Sequence, residues 1–387
     1  METGHLIRGG EVYDGSGGAP RRVDVRVRGG TIAEIGPELP EQGEAVLDAS
    51  GLIVTPGLID LHVHVFSGVG RWSIDPGDAG LVTGVTTMLD TGTAGALTFP
   101  AFDRFVLSQA REDVYALLNI SMIGCLQGYP DERPYNIGEL SEPGYAHAPS
   151  AVACVEQFRD RIVGLKVRLS ALLADNQAQN ERAGLEALLE AAERTALPCM
   201  IHHARSLVPL GELLRRLRPG DIYTHLYHPH PDHGFADDGT PKPEMLAARE
   251  RGVLFDVGHG KGAFSWAVAE AACREGDFWP DTISTDLHHF NILGPVFDLP
   301  TTMTKFLYLG MPLPKIVQAA TDAPARAMGL GDRFGRLLPG RQADITLIRI
   351  ERGEWALPDV LDEMRSIRER LVAVNVFKRG VLHGCRS

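Results

Sequence analysis

The sequence predicts an α/β fold, a (β/α)8 TIM barrel with a small β-sandwich domain built from both chain ends. First, eight apolar, strand-like runs alternate with helix-like runs through the middle of the chain. Second, both ends are rich in glycine and in short alternating strands. Third, 387 residues are enough to bury one large barrel together with an appendage.

The two terminal zones, residues 1–54 and 340–387, are predicted to form the composite β-sandwich domain. Arg-Gly-Gly elements at 8–10 and 28–30 fit tight hairpin turns. Near the other end of the chain, the segments 343–350 and 372–384 again have the pattern of short alternating strands. Because each set of strands is too small to fold well alone, the simplest arrangement pairs them. Residues 55–339 are left for the barrel domain.

The middle zone contains the runs on which the barrel prediction depends. Helix-like runs at 181–196, 207–217 and 264–276 separate some of the strand-like ones. In a (β/α)8 barrel the functional residues sit at the carboxyl ends of the strands, which gives a test for every candidate. The eight strand-like runs are 58–65, 85–91, 114–124, 162–170, 197–204, 221–228, 252–260 and 282–289.

Composition excludes several classes of partner. The formal net charge of −12 argues against a nucleic acid or an anionic membrane surface. No apolar stretch reaches the roughly 18 residues of a transmembrane helix, and the N-terminus lacks the apolar core of a signal peptide. Five cysteines without CxxC spacing resemble reduced thiols rather than a disulfide framework. We therefore expect a cytoplasmic protein acting on a small molecule.

The first strand-like run ends in His62-Val63-His64. Residues two apart on an extended strand point to the same side, so both imidazoles can reach one metal ion. A polar pair at the end of a buried strand is costly unless it coordinates something. Two ordinary histidines on a half-exposed strand would give the same pattern, so the interpretation depends on further ligands.

Later strand ends supply those candidates. Run four contains Lys166, run five ends in His202-His203, run six contains His225, and run eight contains Asp286. A charged lysine inside a barrel strand is unfavourable without a partner. Its amine could instead lose its charge and react with CO2 to give an anionic carbamate. The alternative is an ion pair with a neighbouring acid.

This arrangement resembles the binuclear metal site of the amidohydrolase superfamily. The resemblance covers nearly the whole chain, including a β-sandwich made from both ends with a PGLID segment leading into the first barrel strand. The matching positions are HVHV after TPGLID, Lys166 in GLKVRLS, His202, His225, and Asp286 in STDLHH.

The resemblance implies that His62, His64 and Asp286 bind the more buried metal ion. A Lys166 carboxylated on its side-chain nitrogen would bridge the two ions. Asp286 would be the catalytic residue, accepting the proton of a metal-bridging hydroxide and passing it to the leaving group.

By the same resemblance, His202 and His225 hold the second metal ion. His202 is preferred over His203 because the family places this ligand directly after the apolar strand residues, and periodicity alone does not choose between them. Imidazole and carboxylate ligands suit Zn²⁺ best, with Mn²⁺, Fe²⁺ and Co²⁺ remaining open. The two divalent ions are thus expected to be Zn²⁺.

The substrate is indicated by residues around this site. Dihydroorotase-like enzymes usually have an arginine two positions after HxH, and here that position is Phe66. The segments 224–230, 255–266 and 284–307 instead resemble a deacetylase branch. That branch implies removal of acetyl groups from N-acetyl amino acids or α-acetoxy carboxylates.

Such substrates carry a carboxylate, for which the candidate anchors are Arg168, His259 and His288. Each has an alternative role, Arg168 in a structural ion pair and the two histidines as loop residues bonded to backbone. A cyclic-amide hydrolase (dihydroorotase- or hydantoinase-like) is the main rival, followed by a deaminase and by a non-catalytic scaffold on the same fold. The superfamily often forms homo-oligomers, and a homo-oligomer remains possible here.

Overall fold

The computed structural model describes residues 4–70, 72–126 and 137–386. Its strands fall into three sheets within these residues. In chain order the strands are β1 (His5–Arg8), β2 (Glu11–Val12), β3 (Arg21–Arg22), β4 (Asp24–Arg28), β5 (Thr31–Gly36), β6 (Ala45–Asp48), β7 (Ile53–Pro56), β8 (Leu58–Val63), β9 (Val85–Gly95), β10 (Asp113–Asn119), β11 (Ile162–Leu169), β12 (Cys199–His203), β13 (Ile222–Thr224), β14 (Leu254–Phe255), β15 (Ile345–Pro358), β16 (Met364–Lys378) and β17 (Val381–Gly384).

Helices follow most of the central strands. Short 3₁₀ turns lie at Leu81–Thr83, Pro143–Tyr145 and Ala171–Ala174, and single π-helical turns at Asp103–Leu107 and Ala271–Glu275. The α-helices are α1 (Pro76–Ala79), α2 (Phe99–Phe102), α3 (Ala148–Gln157), α4 (Ala178–Thr195), α5 (Leu210–Leu214), α6 (Pro243–Glu250), α7 (Trp266–Glu270), α8 (Leu299–Leu309), α9 (Leu313–Ala319) and α10 (Asp322–Ala327).

The central sheet consists of seven parallel strands, β8 to β14, each beside the next in chain order. Parallel bridges from Asp256 to Thr282 and from Val63 to Leu287 place residues 282–287 between the last strand and the first. The sheet is therefore curled on itself, and the prediction of a mixed α/β fold around a curled parallel sheet is confirmed.

The predicted eighth strand differs from the other seven because it forms isolated bridges rather than a continuous ladder. Asp286 has a left-handed backbone with φ of 51°. A residue in that conformation interrupts the extended backbone that a ladder needs. The interruption falls inside the run 282–289, between the bridges at Thr282 and Leu287.

Apolar patterning explains how the curled sheet is covered. All six residues of β8 and all eleven of β9 are buried, as expected for parallel strands covered on both faces. Helix α4 buries Leu185, Leu188 and Ala192, whose spacing of three and four residues forms one apolar stripe. Burying each leucine contributes roughly 1.5–3 kcal/mol to folding.

The two ends of the chain share a sheet. Strand β7 pairs with β15 in antiparallel register, Ile53 opposite Ile348 and Pro56 opposite Ile345. A separate apolar cluster, which includes Val25 and Phe377, fills the space behind this pairing. The hairpin formed by β15 and β16 also contacts α8, where the Leu371 amide donates to Thr304 Oγ1 at 2.9 Å. The chain ends therefore support the sheet that carries the strand-end residues.

Neither membrane-spanning helices nor paired cysteines are found in the described chain. Its helices are too short or too polar to cross a bilayer. All five cysteines are free thiols, and four of them are buried.

Candidate active site

A cavity of about 180 Å³ opens at the carboxyl ends of the central strands. Seven of the nine predicted site residues line it, the exceptions being Lys166 and His259. Its lining combines imidazoles, one carboxylate and three cations with a few apolar side chains. The lining residues used below are His62, His64, Trp72, Arg168, His202, Arg205, His225, His230, Lys261, Asp286 and His288.

His62, His64 and Asp286 converge at the floor of this cavity. Their ligand-type atoms all lie within 4.8 Å of one another, and all three residues are buried. Asp286 Oδ1 is 3.4 Å from His62 Nε2 and 3.1 Å from His64 Nε2. This Oδ1 has no hydrogen-bond partner among the described residues. A buried carboxylate oxygen without a partner, facing two imidazole nitrogens, is the arrangement that a metal ion would satisfy.

A threonine fixes the tautomer of His62. Thr224 Oγ1 donates to Asp256 Oδ2 at 2.7 Å and lies 3.1 Å from His62 Nδ1. Because a hydroxyl has a single hydrogen, its oxygen must accept the Nδ1 proton of His62. Nε2 is then left as a lone pair facing Asp286.

His64 is held by a second relay of the same kind. Thr93 Oγ1 donates to Asp90 Oδ2 at 2.8 Å and lies 2.7 Å from His64 Nδ1. Burial raises the pKa of Asp90 to about 6, so this carboxyl is ionised at neutral pH and accepts the hydroxyl proton. The Nε2 atom of His64 is likewise a lone pair. These threonines were not found from the sequence, although Asp90 lies near the end of a strand-like run and Thr93 follows it.

His225 is oriented by backbone. Its Nδ1 donates to the carbonyl of Gly258 at 2.6 Å, which again leaves Nε2 unprotonated. The His202 ring lies edge-on to it, with ring centroids 4.4 Å apart. Burial lowers the pKa of His225 to about 3 and holds those of His62 and His64 well below the ordinary value, so all three rings are neutral. Neutral imidazole is the metal-binding form.

Lys166 lies beneath the cavity and is fully buried. Its amine contacts Met200 Sδ at 3.2 Å and forms no ion pair in the described part of the chain. Burial lowers the pKa of Lys166 to about 8, so about one amine in ten is uncharged at pH 7, far more than for an ordinary lysine. The described residues therefore do not show the alternative arrangement, an ion pair between Lys166 and a neighbouring acid.

Backbone conformation brings two further elements close to these side chains. His225 and Asp286 both have positive φ angles, 67° and 51°, which store strain in non-glycine residues. Gly258 and Gly260 also have positive φ. A Cβ on Gly258 would overlap Thr224 Oγ1, and a Cβ on Gly260 would overlap Asp286 Oδ2. The glycine loop thus packs directly on the side chains of the site.

Of the two adjacent histidines at the end of β12, His202 lines the cavity. His203 is turned away, with Nε2 donating to the Val208 carbonyl at 2.8 Å. The geometry therefore places the preferred residue of the pair at the site.

The three candidate anchors are placed differently. Arg168 lines the cavity but is paired with Glu139, with its Nε 2.6 Å from Glu139 Oε2. His288 lines the cavity and packs against Trp72, with ring centroids 5.0 Å apart. His259 is not brought to the cavity. Its Nε2 faces the Lys305 amine at 2.7 Å.

Comparison with known proteins identifies the family. Residues 53–382 match the amidohydrolase family model. A deacetylase of Agrobacterium fabrum is 33% identical over 339 residues, covering 86% of this chain and 80% of its own length. A deacetylase of Enterococcus faecalis is 30% identical over 388 residues, covering 99% of this chain and 100% of its own.

Solved structures agree with this result. A crystal structure of a dihydroorotase matches with a TM-score of 0.88 and 28% identity, covering 99% of both chains. A crystal structure of an adenine deaminase matches with the same TM-score and identity, covering 99% of this chain and 100% of the other. The resemblance drawn from the sequence motifs is confirmed.

Proposed function

Because this chain belongs to the amidohydrolase family and is therefore a hydrolase, we propose that it is a deacetylase of N-acetyl amino acids or α-acetoxy carboxylates. One observation carries the reaction class: the imidazole nitrogens of His62 and His64, each with a free lone pair, converge with the Asp286 carboxylate at one cavity floor, and the oriented His225 lines the same cavity. The choice of acetyl group rests on the relatives named as deacetylases, which are aligned over most of the chain.

The residues present fit a pair of divalent metal ions. His62, His64 and Asp286 would hold one ion, and His202 and His225 the other, with carboxylated Lys166 between them. Zn²⁺ suits this set of nitrogen and carboxylate donors best. Bound divalent ions would supply a hydroxide at neutral pH and would polarise the acyl carbonyl.

The protein's own groups have defined tasks in this proposal. The uncharged Lys166 amine would add to CO2 and release one proton, giving an anionic carbamate. Asp286 would take a proton at its carboxylate and return it to the leaving nitrogen or oxygen of the substrate. The two threonine relays and the Gly258 carbonyl keep the imidazoles neutral and oriented.

A second candidate is a cyclic-amide hydrolase, which the structural match to a dihydroorotase favours. The residue two positions after the HxH pair, Phe66, argues against it. Phe66 is 2% exposed and packs on Phe102 with ring centroids 4.6 Å apart, so it supplies no cation to the cavity.

In this proposal the chain divides into a small β-sandwich domain, residues 1–54 and 340–387, and the metallohydrolase barrel, residues 55–339.

The test combines metal analysis with a substrate panel of N-acetyl amino acids, α-acetoxy acids, dihydroorotate and hydantoins. We expect bound divalent metal and turnover of acetylated acids. Lys166→Ala and Asp286→Asn should each fold, as judged by circular dichroism, with at most traces of hydrolysis. Turnover of dihydroorotate without any acetylated compound would refute the deacetylase assignment, and near-wild-type activity in either variant would refute the assigned roles.

A further inference from the structure

The entrance of the cavity is basic, although the whole chain has a formal net charge of −12. Arg205 follows β12 and Lys261 follows β14, so they flank the loop after β13 from both sides. Both side chains are exposed. Among the described residues that line the cavity, Asp286 at the floor is the sole carboxylate. Asp232 lies beside Arg205, but it does not line the cavity, and its carboxylate accepts from the backbone amides of Arg205 and Ser206.

Arg205 is presented by a built turn. The residue has a left-handed backbone with φ of 56°, and the next amide, of Ser206, donates to Asp232 Oδ2 at 2.9 Å. Its Nε donates to His230 Nδ1 at 3.3 Å, and Arg205 forms no ion pair in the described chain. The turn and the Nε contact fix the direction of the guanidinium. Its two terminal amino groups remain available to a ligand.

Lys261 is carried by the glycine loop after β14. It directly follows Gly260, which packs against the Asp286 carboxylate. The Lys261 amine donates to the Phe290 carbonyl at 3.2 Å, and within the described residues it too lacks an acidic partner. An ammonium group has three donors, so two remain for a ligand.

The charge of Arg168, the arginine expected from the sequence to bind the carboxylate, is balanced by Glu139. The buried pair with Glu139 is nearly neutral as a unit. Replacing Glu139 by a substrate carboxylate would leave a buried acid unpaired, which is costly. Among the described residues, the cavity cations whose side chains form no ion pair are thus Arg205 and Lys261 rather than Arg168.

We propose that Arg205 and Lys261 bind the carboxylate of the substrate at the entrance, with the acyl group directed inward to Asp286. The inference rests on the proposed function in that the substrate is an acylated acid. Charge-assisted hydrogen bonds are shorter and roughly twice as strong as neutral ones, so this pair selects a free acid over its amide. It also attracts anionic substrates before they enter the cavity.

The test compares an N-acetyl amino acid with its primary carboxamide, which keeps the scissile bond but has no charge. The variants are Arg205→Gln, Lys261→Gln and the double variant. Hydrogen bonds to charged groups contribute about 1.5–3 kcal/mol, so each single change should raise KM for the acid by about tenfold or more. We expect kcat to change less than about threefold and the carboxamide to be hydrolysed as before. The matched controls are Arg352→Gln on the β15–β16 hairpin, and Lys315→Gln at the start of α9, both outside the cavity.

Equal losses on the acid and the carboxamide, or an unchanged preference in the double variant, would overturn the inference. Calorimetry of the binding of the same two compounds distinguishes a failure of this inference from a failure of the proposed function. If the wild-type protein hydrolyses neither compound, the proposed deacetylase activity fails. If the wild-type protein binds the acid more tightly than the carboxamide and the double variant does not, the two anchors are still supported. Equal binding of acid and carboxamide by the wild-type protein would refute them.

Discussion

Replacing Thr224 by valine should weaken metal binding without unfolding the protein. The hydroxyl is fully buried and makes two contacts, donating to Asp256 and accepting the His62 Nδ1 proton. Asp256 would remain satisfied, because its carboxylate also accepts from Thr282 at 2.7 Å and from Ser284 at 2.8 Å. His62 would lose its partner, and a buried unsatisfied donor costs about 1–3 kcal/mol.

The larger effect should appear in metal affinity. Without the hydroxyl, neither the ring orientation of His62 nor its Nδ1–H tautomer is fixed. Loss of such outer contacts typically lowers metal affinity by about 10–100-fold. That range corresponds to about 1.4–2.8 kcal/mol at tenfold per 1.4 kcal/mol, which agrees with the cost of the single lost hydrogen bond.

The assay is competition between the protein and a chelator of known affinity, together with urea unfolding of the metal-free protein. Thr224→Ser is the matched control, because it keeps the hydroxyl and should bind metal within about threefold of wild type. Metal affinity of the valine variant within twofold of wild type would refute the argument that Thr224 fixes the tautomer of His62. Equal losses in the serine and valine variants would show that packing, rather than the hydroxyl, is responsible.

Two more predictions concern the glycine loop and a distant carboxylate. Gly260→Ala would push a Cβ onto Asp286 Oδ2 and should lower kcat/KM by about 100-fold. The control is Gly262→Ala, which has open space around it and should leave kcat/KM unchanged. Similar kinetics for the two variants would contradict the importance of the Gly260 contact. Burial alone would raise the pKa of Asp113, but the Lys378 ammonium at 2.6 Å and other partners bring it below the ordinary value. Asp113 therefore stabilises the fold above its unfolded pKa of about 3.9, and this contribution is lost as pH falls through the lower folded pKa. Asp113→Asn should lower the free energy of unfolding by about 1–3 kcal/mol at pH 7. Urea unfolding from pH 7 to 2 should also show a smaller loss of stability in acid for the variant than for the wild type. An equally steep loss in both proteins would contradict the role of Asp113.

The sequence was sufficient to predict where the site lies because two simple rules coincide. Short apolar runs mark strands that are buried on both faces, and parallel strands gather their carboxyl ends at one edge. Residues as far apart as His62 and Asp286 could therefore be assigned to one cavity without knowledge of the helices between them. The choice of His202 over His203 depended on the family resemblance, since both residues follow the same apolar run.

What the sequence could not predict depends on partners distant along the chain. Arg168 is neutralised by Glu139, 29 residues earlier and outside any strand. The Thr224 relay similarly depends on Asp256, 32 residues later. The left-handed backbone of Asp286, which interrupts the eighth strand-like run, could not be predicted from the apolar pattern of that run. Each of these is a tertiary contact or a strained conformation imposed by the fold.

His259 shows why position at a strand end is not sufficient evidence of contact with substrate. Its Nδ1 donates to the Gly260 carbonyl at 2.9 Å, so Nε2 accepts from the buried Lys305 ammonium. Lys305 in turn donates to the Pro358 carbonyl at 2.5 Å, at the end of β15. Because the same loop provides the carbonyl that orients His225 and the glycine that packs on Asp286, the C-terminal hairpin braces the site through one buried amine. The terminal strands thus contribute to the geometry of the reaction centre as well as to the stability of the fold.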